Sequence, residues 1–258
     1  MSGGGASRSL KAFTLAEVLI TLAIIGVVAA LTIPTLITNY QKQQYVTQLK
    51  KSITTLNNGF RTIMANEGVT NLADTTLWRK APDEVNSADT SEFTQEFSKH
   101  FKVLEAQATS DKIKERNIKG LNGKPWENET YNMPYFHFAD GSTISLYVYR
   151  PMESSITADE IKAKGGKIYQ QLGQVFLDVN GEQGPNTIGR DIFQLMIAQN
   201  GNLYPVGGND FLIYGGLSRE TYHWSGTNKA FGCRTDGADY RGQACAARII
   251  EEGWQMTY

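Results

Sequence analysis

Oxygen-bearing side chains alternate at the start of Leu177–Asp191, LDVNGEQGPNTIGRD. Asp178, Asn180 and Glu182 stand two apart, and Gly181 between them permits a tight turn. Carboxylate and amide oxygens at such spacing are what a hard cation such as calcium requires. An EF-hand counted from Asp178 would need Glu at its twelfth position, which is Gly189; Asp191 comes two residues later. The pattern is therefore that of a looser calcium loop built from Asp178, Asn180, Glu182 and Asp191. Against it stands a long β-turn whose Asp and Asn side chains bond their own backbone.

Other chemistry is sparse. The histidines are His100, His137 and His223, and no zinc-protease, nucleophile-elbow, phosphate-loop or C-x-x-C pattern accompanies them. The expectation is a protein that is not an enzyme and holds no cofactor, the calcium loop apart. Net charge is −1 with both signs interspersed and no basic block, so nothing points to nucleic acid.

One further group is out of place. Val18–Ile37 carries no charge over twenty residues, long enough to span a bilayer, yet Glu17 stands at its front. A carboxylate at the centre of a membrane helix costs roughly 2.5–3.5 kcal/mol on insertion scales. Beyond Ile37, the residues Val46, Leu49, Ile53, Leu56, Phe60 and Ile63 step by three and four, which is one apolar stripe on a helix. Nothing between Ile37 and Val46 breaks a helix. The two segments join into one helix from Thr14 to about Ala65, roughly 75–80 Å long. Pro34 removes a backbone donor within it and is the expected kink.

The rest of the chain reads as a head of helix and antiparallel strands. Asn66–Asn71 and Thr75–Asp89 are polar and turn-rich, which suggests a connection. Phe93, Phe97, Phe101 and Leu104 lie at helical spacing in Ser91–Glu105. Apolar alternation on both sides of Asp140-Gly141 in Pro134–Arg150 predicts a hairpin. A strand ends at Gln174–Val179, and Asn200-Gly201 turns a second hairpin between Asp191–Gln199 and Asn202–Val206. Gln243–Trp254 suggests a last short helix carrying Cys245. The fold class is α+β: a long N-terminal helix, membrane-spanning in its first half, packed on an antiparallel sheet.

Three accounts of the N-terminus compete. A secretory signal could be cut after Ala30. A single-pass anchor would keep the whole segment. A short leader, Met1–Ala12, could be removed just ahead of the apolar run. A discarded signal has no reason to continue in phase into an amphipathic helix, which favours a retained one. If the body is exported, the two cysteines, Cys233 and Cys245, read as a disulfide rather than as two free thiols. That bridge would be worth ~3 kcal/mol in the chain-entropy model.

The stretch Lys11-Ala12-Phe13-Thr14-Leu15-Ala16-Glu17-Val18-Leu19 resembles the processing site of type IV pilin-like proteins, the pilins and pseudopilins. The resemblance implies a leader over 1–12, a helix over 13–65 and an extracytoplasmic head over 66–258. It implies cleavage by a prepilin peptidase between Ala12 and Phe13, with methylation of the new amine. Glu17 then falls at the fifth mature position and Pro34 at the twenty-second, both as in the family. The residue before the cut departs from it, being Ala12 where Gly is usual. Glu17 would pair with the Phe13 amine of its own or a neighbouring subunit, making two costly charges one tolerable pair and setting register. The competing account is that Glu17 reaches the headgroups at the helix end. The resemblance also implies the Cys233–Cys245 fastening of a C-terminal loop. The implied partners are other pilin subunits, the peptidase and inner-membrane assembly machinery, with the helix in the bacterial inner membrane and the head in the periplasm or outside. Two roles fit: a structural subunit of a type IV pilus or type II secretion pseudopilus, or a minor tip subunit whose head binds a surface, DNA or secreted cargo.

Overall fold

A computed structural model of the chain describes residues 14–82, 89–110, 116–126, 133–148, 171–208, 222–235 and 239–258. Two compact units are present, one ending at Lys42 and one running from Gln43 to Tyr258. The division falls inside the first helix, not at its end.

Helix α1 spans Leu15–Glu67 and stays helical past Pro34. The missing proline N–H leaves the Ala30 carbonyl without its usual partner. In the first unit Leu19, Ile20, Ile24, Ile25, Val28 and Leu31 are each more than half exposed. This stretch is long and apolar enough, by length and composition, to cross a membrane. In the second unit the same helix buries one face. Val46, Leu49, Leu56, Phe60 and Ile63 are buried as their spacing predicts, and Tyr45, Ser52 and Met64 join them. Ile53 packs at the margin. The helix ends because Gly68 adopts φ +66°, which a Cβ would disfavour. There the Val69 N–H donates to the Met64 carbonyl and the Gly68 N–H to that of Ala65, the bonding of a Schellman motif.

Two expectations are corrected here. The polar stretch after Gly68 is more than a connection. It holds a 3-10 turn, Leu72–Asp74, and helix α2, Thr76–Arg79. Their Leu72, Leu77 and Trp78 are wholly buried. Thr75 caps α2 through the Trp78 N–H, and Glu67 accepts from the Thr76 N–H and hydroxyl. Helix α3 is Ser91–His100 and stops short of Glu105, because Val103–Ser110 is strand β1. Leu104, which helical spacing put in the core, is 69 % exposed on that strand. Spacing alone could not separate the last turn of a helix from the first residues of a strand.

The sheet continues with β2 Met133–Phe138, β3 Thr143–Val148, β4 Gln171–Asp178, β5 Ile192–Ala198 and β6 Leu203–Pro205. Strand order is β1-β2-β3-β4-β5-β6, every neighbour antiparallel. Both expected hairpins are present. Phe136 faces Ile144 across Asp140-Gly141, and Ile197 faces Leu203 across Asn200-Gly201. Strand β5 is buried throughout. Phe193, Leu195 and Ile197 meet the α1 core, while Met196 and Ala198 pack with Val206, flanked by Tyr222 and Phe231. The last element is helix α4, Cys245–Glu251.

The core is aromatic where the helices meet the sheet. The Phe97 ring stacks on Phe101 with centroids 4.2 Å apart, and Phe136 lies 4.2 Å away on β2. Phe101 also meets Phe60 edge-on at 5.5 Å. Gly59 makes this possible: a Cβ there would stand 2.2 Å from Phe101 Cε1. Alanine normally stabilises a helix interior by about 1 kcal/mol over glycine. Gly59→Ala should show the opposite sign, because overpacking costs ~1–3 kcal/mol. Urea unfolding of the variant checks this; a raised midpoint would show that Phe101 yields freely.

Candidate functional site

Glu17 is the N3 residue of a reciprocal helix cap. Its Oε2 accepts from the Thr14 backbone N–H at 2.9 Å and the Thr14 hydroxyl at 2.8 Å. The Thr14 Oγ in turn accepts from the Glu17 N–H at 3.2 Å. This is a capping box, and it satisfies donors that a helix start otherwise leaves without partners. Thr14 thus positions the Glu17 carboxylate, and Thr-x-x-Glu is the usual sequence signal of such a cap. Ala12 and Phe13 lie outside the described residues. In this chain the Glu17 carboxylate is held at the first turn by Thr14, at the end of the apolar run where a charged partner could reach it.

Cys233 and Cys245 form a disulfide, with Cα atoms 4.9 Å apart. It joins the loop of 222–235 to the first residue of α4. Around it the Arg248 guanidinium donates to the Cys233 carbonyl, and the Tyr258 hydroxyl donates to that of Gly189. These links tie the loop of 222–235, the turn at Gly189 and the C-terminal residue Tyr258 to α4 and to one another among the described residues.

Of the residues read as calcium ligands, Asp178, Asn180 and Asp191 meet partners within the protein. Asp178 is buried and paired with Arg116, whose guanidinium also donates to the Gly181 carbonyl and the Thr143 hydroxyl. Asp191, fully buried, accepts from the backbone N–H groups of Asn186 and Thr187. The Asn180 amide donates to the carbonyls of Gln183 and Gly184. Glu182 is exposed. Among the described residues no three His, Cys, Asp or Glu side chains are grouped as a metal site requires. An internal guanidinium stands beside Asp178 where the calcium reading placed a metal. Calcium should therefore leave the melting temperature unchanged, since only a ligand of the folded form raises it. A rise at millimolar calcium would support the metal reading.

The same pair carries a pH signature. Burial pushes the Asp178 carboxyl up to about 7, Arg116 works against that, and nearby Asp191 adds to it. Asp191 is itself raised by burial. Between the ordinary value near 3.8 and about 7, the folded state holds a proton that the unfolded chain has released. Stability then falls as pH rises through that window and levels off above it. Asp178→Asn should flatten the slope. An unchanged slope in chemical denaturation across that range would assign it to other groups.

Residues 8–33 match the family model described as the prokaryotic N-terminal methylation motif. That motif is the signature of type IV prepilin-like proteins, and this chain carries it at its N-terminus. No curated protein and no solved structure matches the chain. The long apolar helix and the six-stranded antiparallel sheet agree with a pilin-like fold. The motif implies processing by a peptidase and assembly with other pilin subunits, and with the apolar helix it fits a membrane-anchored pilin.

Proposed function

We propose that the chain is a structural subunit of a type IV pilus or a type II secretion pseudopilus. A prepilin peptidase cuts between Ala12 and Phe13 and the new amine is methylated. The helix rests in the bacterial inner membrane with the head in the periplasm, until the apolar segments of many subunits pack together. The observation that carries this is the methylation motif over residues 8–33, joined to an apolar helix whose large apolar side chains from Leu15 to Ile37 are exposed. Intact mass and N-terminal sequencing of membrane-derived protein are the test. The expected mature form starts at N-methyl-Phe13; a start at Leu31 would support a discarded signal instead.

A second role is supported by the size of the head, residues 66–258. A minor tip subunit would be scarce in sheared filaments, whereas a major one would dominate them. Quantifying the chain in that fraction separates the two.

A further inference from the structure

On the head, a recess of about 360 Å³ opens between the loop of 222–235 and helix α4, lined by Trp224, Ser225, Arg234, Thr235 and Arg248. We propose that Ser225 is an activated nucleophile in this recess, which takes the acyl group of a small uncharged ester and passes it to water. His223 is its base, and Glu251 orients that base.

The three side chains come from the 222–235 loop and α4. Ser225 is exposed, whereas His223 is buried. Ser225 Oγ lies 2.7 Å from His223 Nδ1, and His223 Nε2 lies 3.1 Å from Glu251 Oε2. The Ser225 backbone N–H also points at Nδ1, at 3.3 Å. A backbone N–H can only donate, so Nδ1 holds the lone pair and Nε2 carries the proton toward Glu251. The Ser225 hydroxyl hydrogen is then directed at Nδ1, and the oxygen lone pairs are left to the recess that Ser225 lines. A hydroxyl, a base within hydrogen-bond reach of it and a carboxylate holding that base are the arrangement that activates a serine. Glu251 Oε2 also takes the Trp224 indole N–H at 2.8 Å, which fixes both the carboxylate and the ring beside the nucleophile.

The walls suit an uncharged substrate. Each guanidinium nitrogen of Arg248 already has a partner: Glu252 Oε1 at 3.0 Å, the Cys233 carbonyl at 2.8 Å and Thr257 Oγ at 3.1 Å. Arg234 lies over the Tyr240 ring at 5.4 Å. Beside Ser225 stand the Trp224 indole, an apolar flank for an acyl group, and the Thr235 hydroxyl, a donor for a developing oxyanion. In the first step Oγ bonds to the acyl carbon and its proton moves to Nδ1. The ester C–O bond then breaks as that proton passes to the leaving alcohol. Water next attacks the acyl-serine and gives a proton to Nδ1, which returns it to Oγ as the acid departs. The Ser225 N–H loses its bond to Nδ1 whenever that nitrogen is protonated, which works against the step. The expected acceleration therefore lies at the low end of general-base catalysis, about 10²-fold.

The test uses the full chain in detergent with p-nitrophenyl acetate as the probe. Release of p-nitrophenolate is followed, and the acid-quenched protein is analysed by mass spectrometry. The acetyl group should be found on the peptide that holds Ser225. Ser225→Ala should lower kcat/KM about 10²-fold, with near-UV circular dichroism unchanged. Glu251→Gln keeps an oxygen for the His223 and Trp224 donors and loses only the charge. It should lower kcat about tenfold and leave KM unchanged, because Glu251 touches no substrate. A fluorophosphonate, whose P–F bond breaks as Oγ bonds to phosphorus, should mark Ser225 in the wild-type chain and not in a chain with His223→Gln. The proposal is overturned by acetyl groups on lysines alone, by turnover that survives Ser225→Ala, by a Glu251→Gln rate equal to that of the wild type, or by a fluorophosphonate that leaves Ser225 unmarked. None of these readouts depends on filament assembly, so failure here leaves the proposed subunit role standing.

Discussion

Glu17→Gln should leave the processed subunit in the membrane and keep it out of filaments. The amide still accepts from the Thr14 N–H and hydroxyl, so the capping box that Glu17 makes survives. Only the negative charge is lost. Insertion should proceed as well as before, since an uncharged side chain is easier to place in hydrocarbon. The head should be unaffected, because its buried face on α1 begins at Tyr45. Cleavage should survive as well, because the leader and Phe13 are intact. Assembly should fail, because the Phe13 amine would enter the packed helices with no counter-ion. An unpaired buried charge costs several kcal/mol, and the cost recurs at every subunit. Glu17→Ala should fail in the same way. Thr14→Ala is the informative companion: it removes the cap, worth about 0.5–2 kcal/mol, and keeps the charge. It should assemble. The measurement is the ratio of subunit in sheared filaments to cut subunit in membranes. Normal incorporation of Glu17→Gln with failure of Thr14→Ala would show that the cap matters and the charge does not.

Trp78→Ala should be the most damaging single truncation of those considered in the head. The indole is fully buried, edge-on to Phe60 at 6.0 Å and to Phe93 at 5.6 Å. It links α1, α2 and α3, so its removal opens a cavity that three elements must collapse into. A loss of about 3–5 kcal/mol is expected. In a unit of this size that lowers the melting temperature by roughly 6–20 °C. Leu104→Ala is the control. Leu104 is 69 % exposed on β1, and its truncation should stay within about 0.5 kcal/mol. Similar melting temperatures for the two variants would mean that this aromatic cluster is not what holds α2 and α3 in place.

That contrast also shows where sequence reading succeeds and where it stops. The α1 stripe was legible because a helix repeats its buried face every three or four residues over many turns. The two hairpins were legible because Asp140-Gly141 and Asn200-Gly201 are local turn chemistry flanked by alternating residues. Trp78 was not, because α2 has only four residues, too few for any period. Leu104 was placed in a helix because one period ran into another without a break. Arg116 was invisible as the partner of Asp178, since the pair is 62 residues apart and no local pattern records it. Asp178 ends β4, and Asn180 and Glu182 stand in the turn that follows it. Spacing could not say that a guanidinium from elsewhere would meet Asp178. The Thr14–Glu17 cap needed no distant information at all. Its signal, Thr-x-x-Glu ahead of an apolar run, lies within four residues.

The strand order of the sheet bears on how the head acquires its structure. Each strand pairs with the one before it in the chain, from β1 through β6. Among the described strands, none pairs with one that is not its neighbour in the chain. The entropy of closing a connection grows only slowly with its length, and topologies rich in sequence-local pairing fold quickly. A subunit threaded across a membrane helix-first could therefore add strands in the order they emerge, against the α1 face already delivered. A Greek-key head of the same size would have to hold an unpaired strand edge open until its partner arrived, in a compartment crowded with identical chains. Sequential pairing shortens that exposure and so guards against edge-to-edge sticking between copies of the chain.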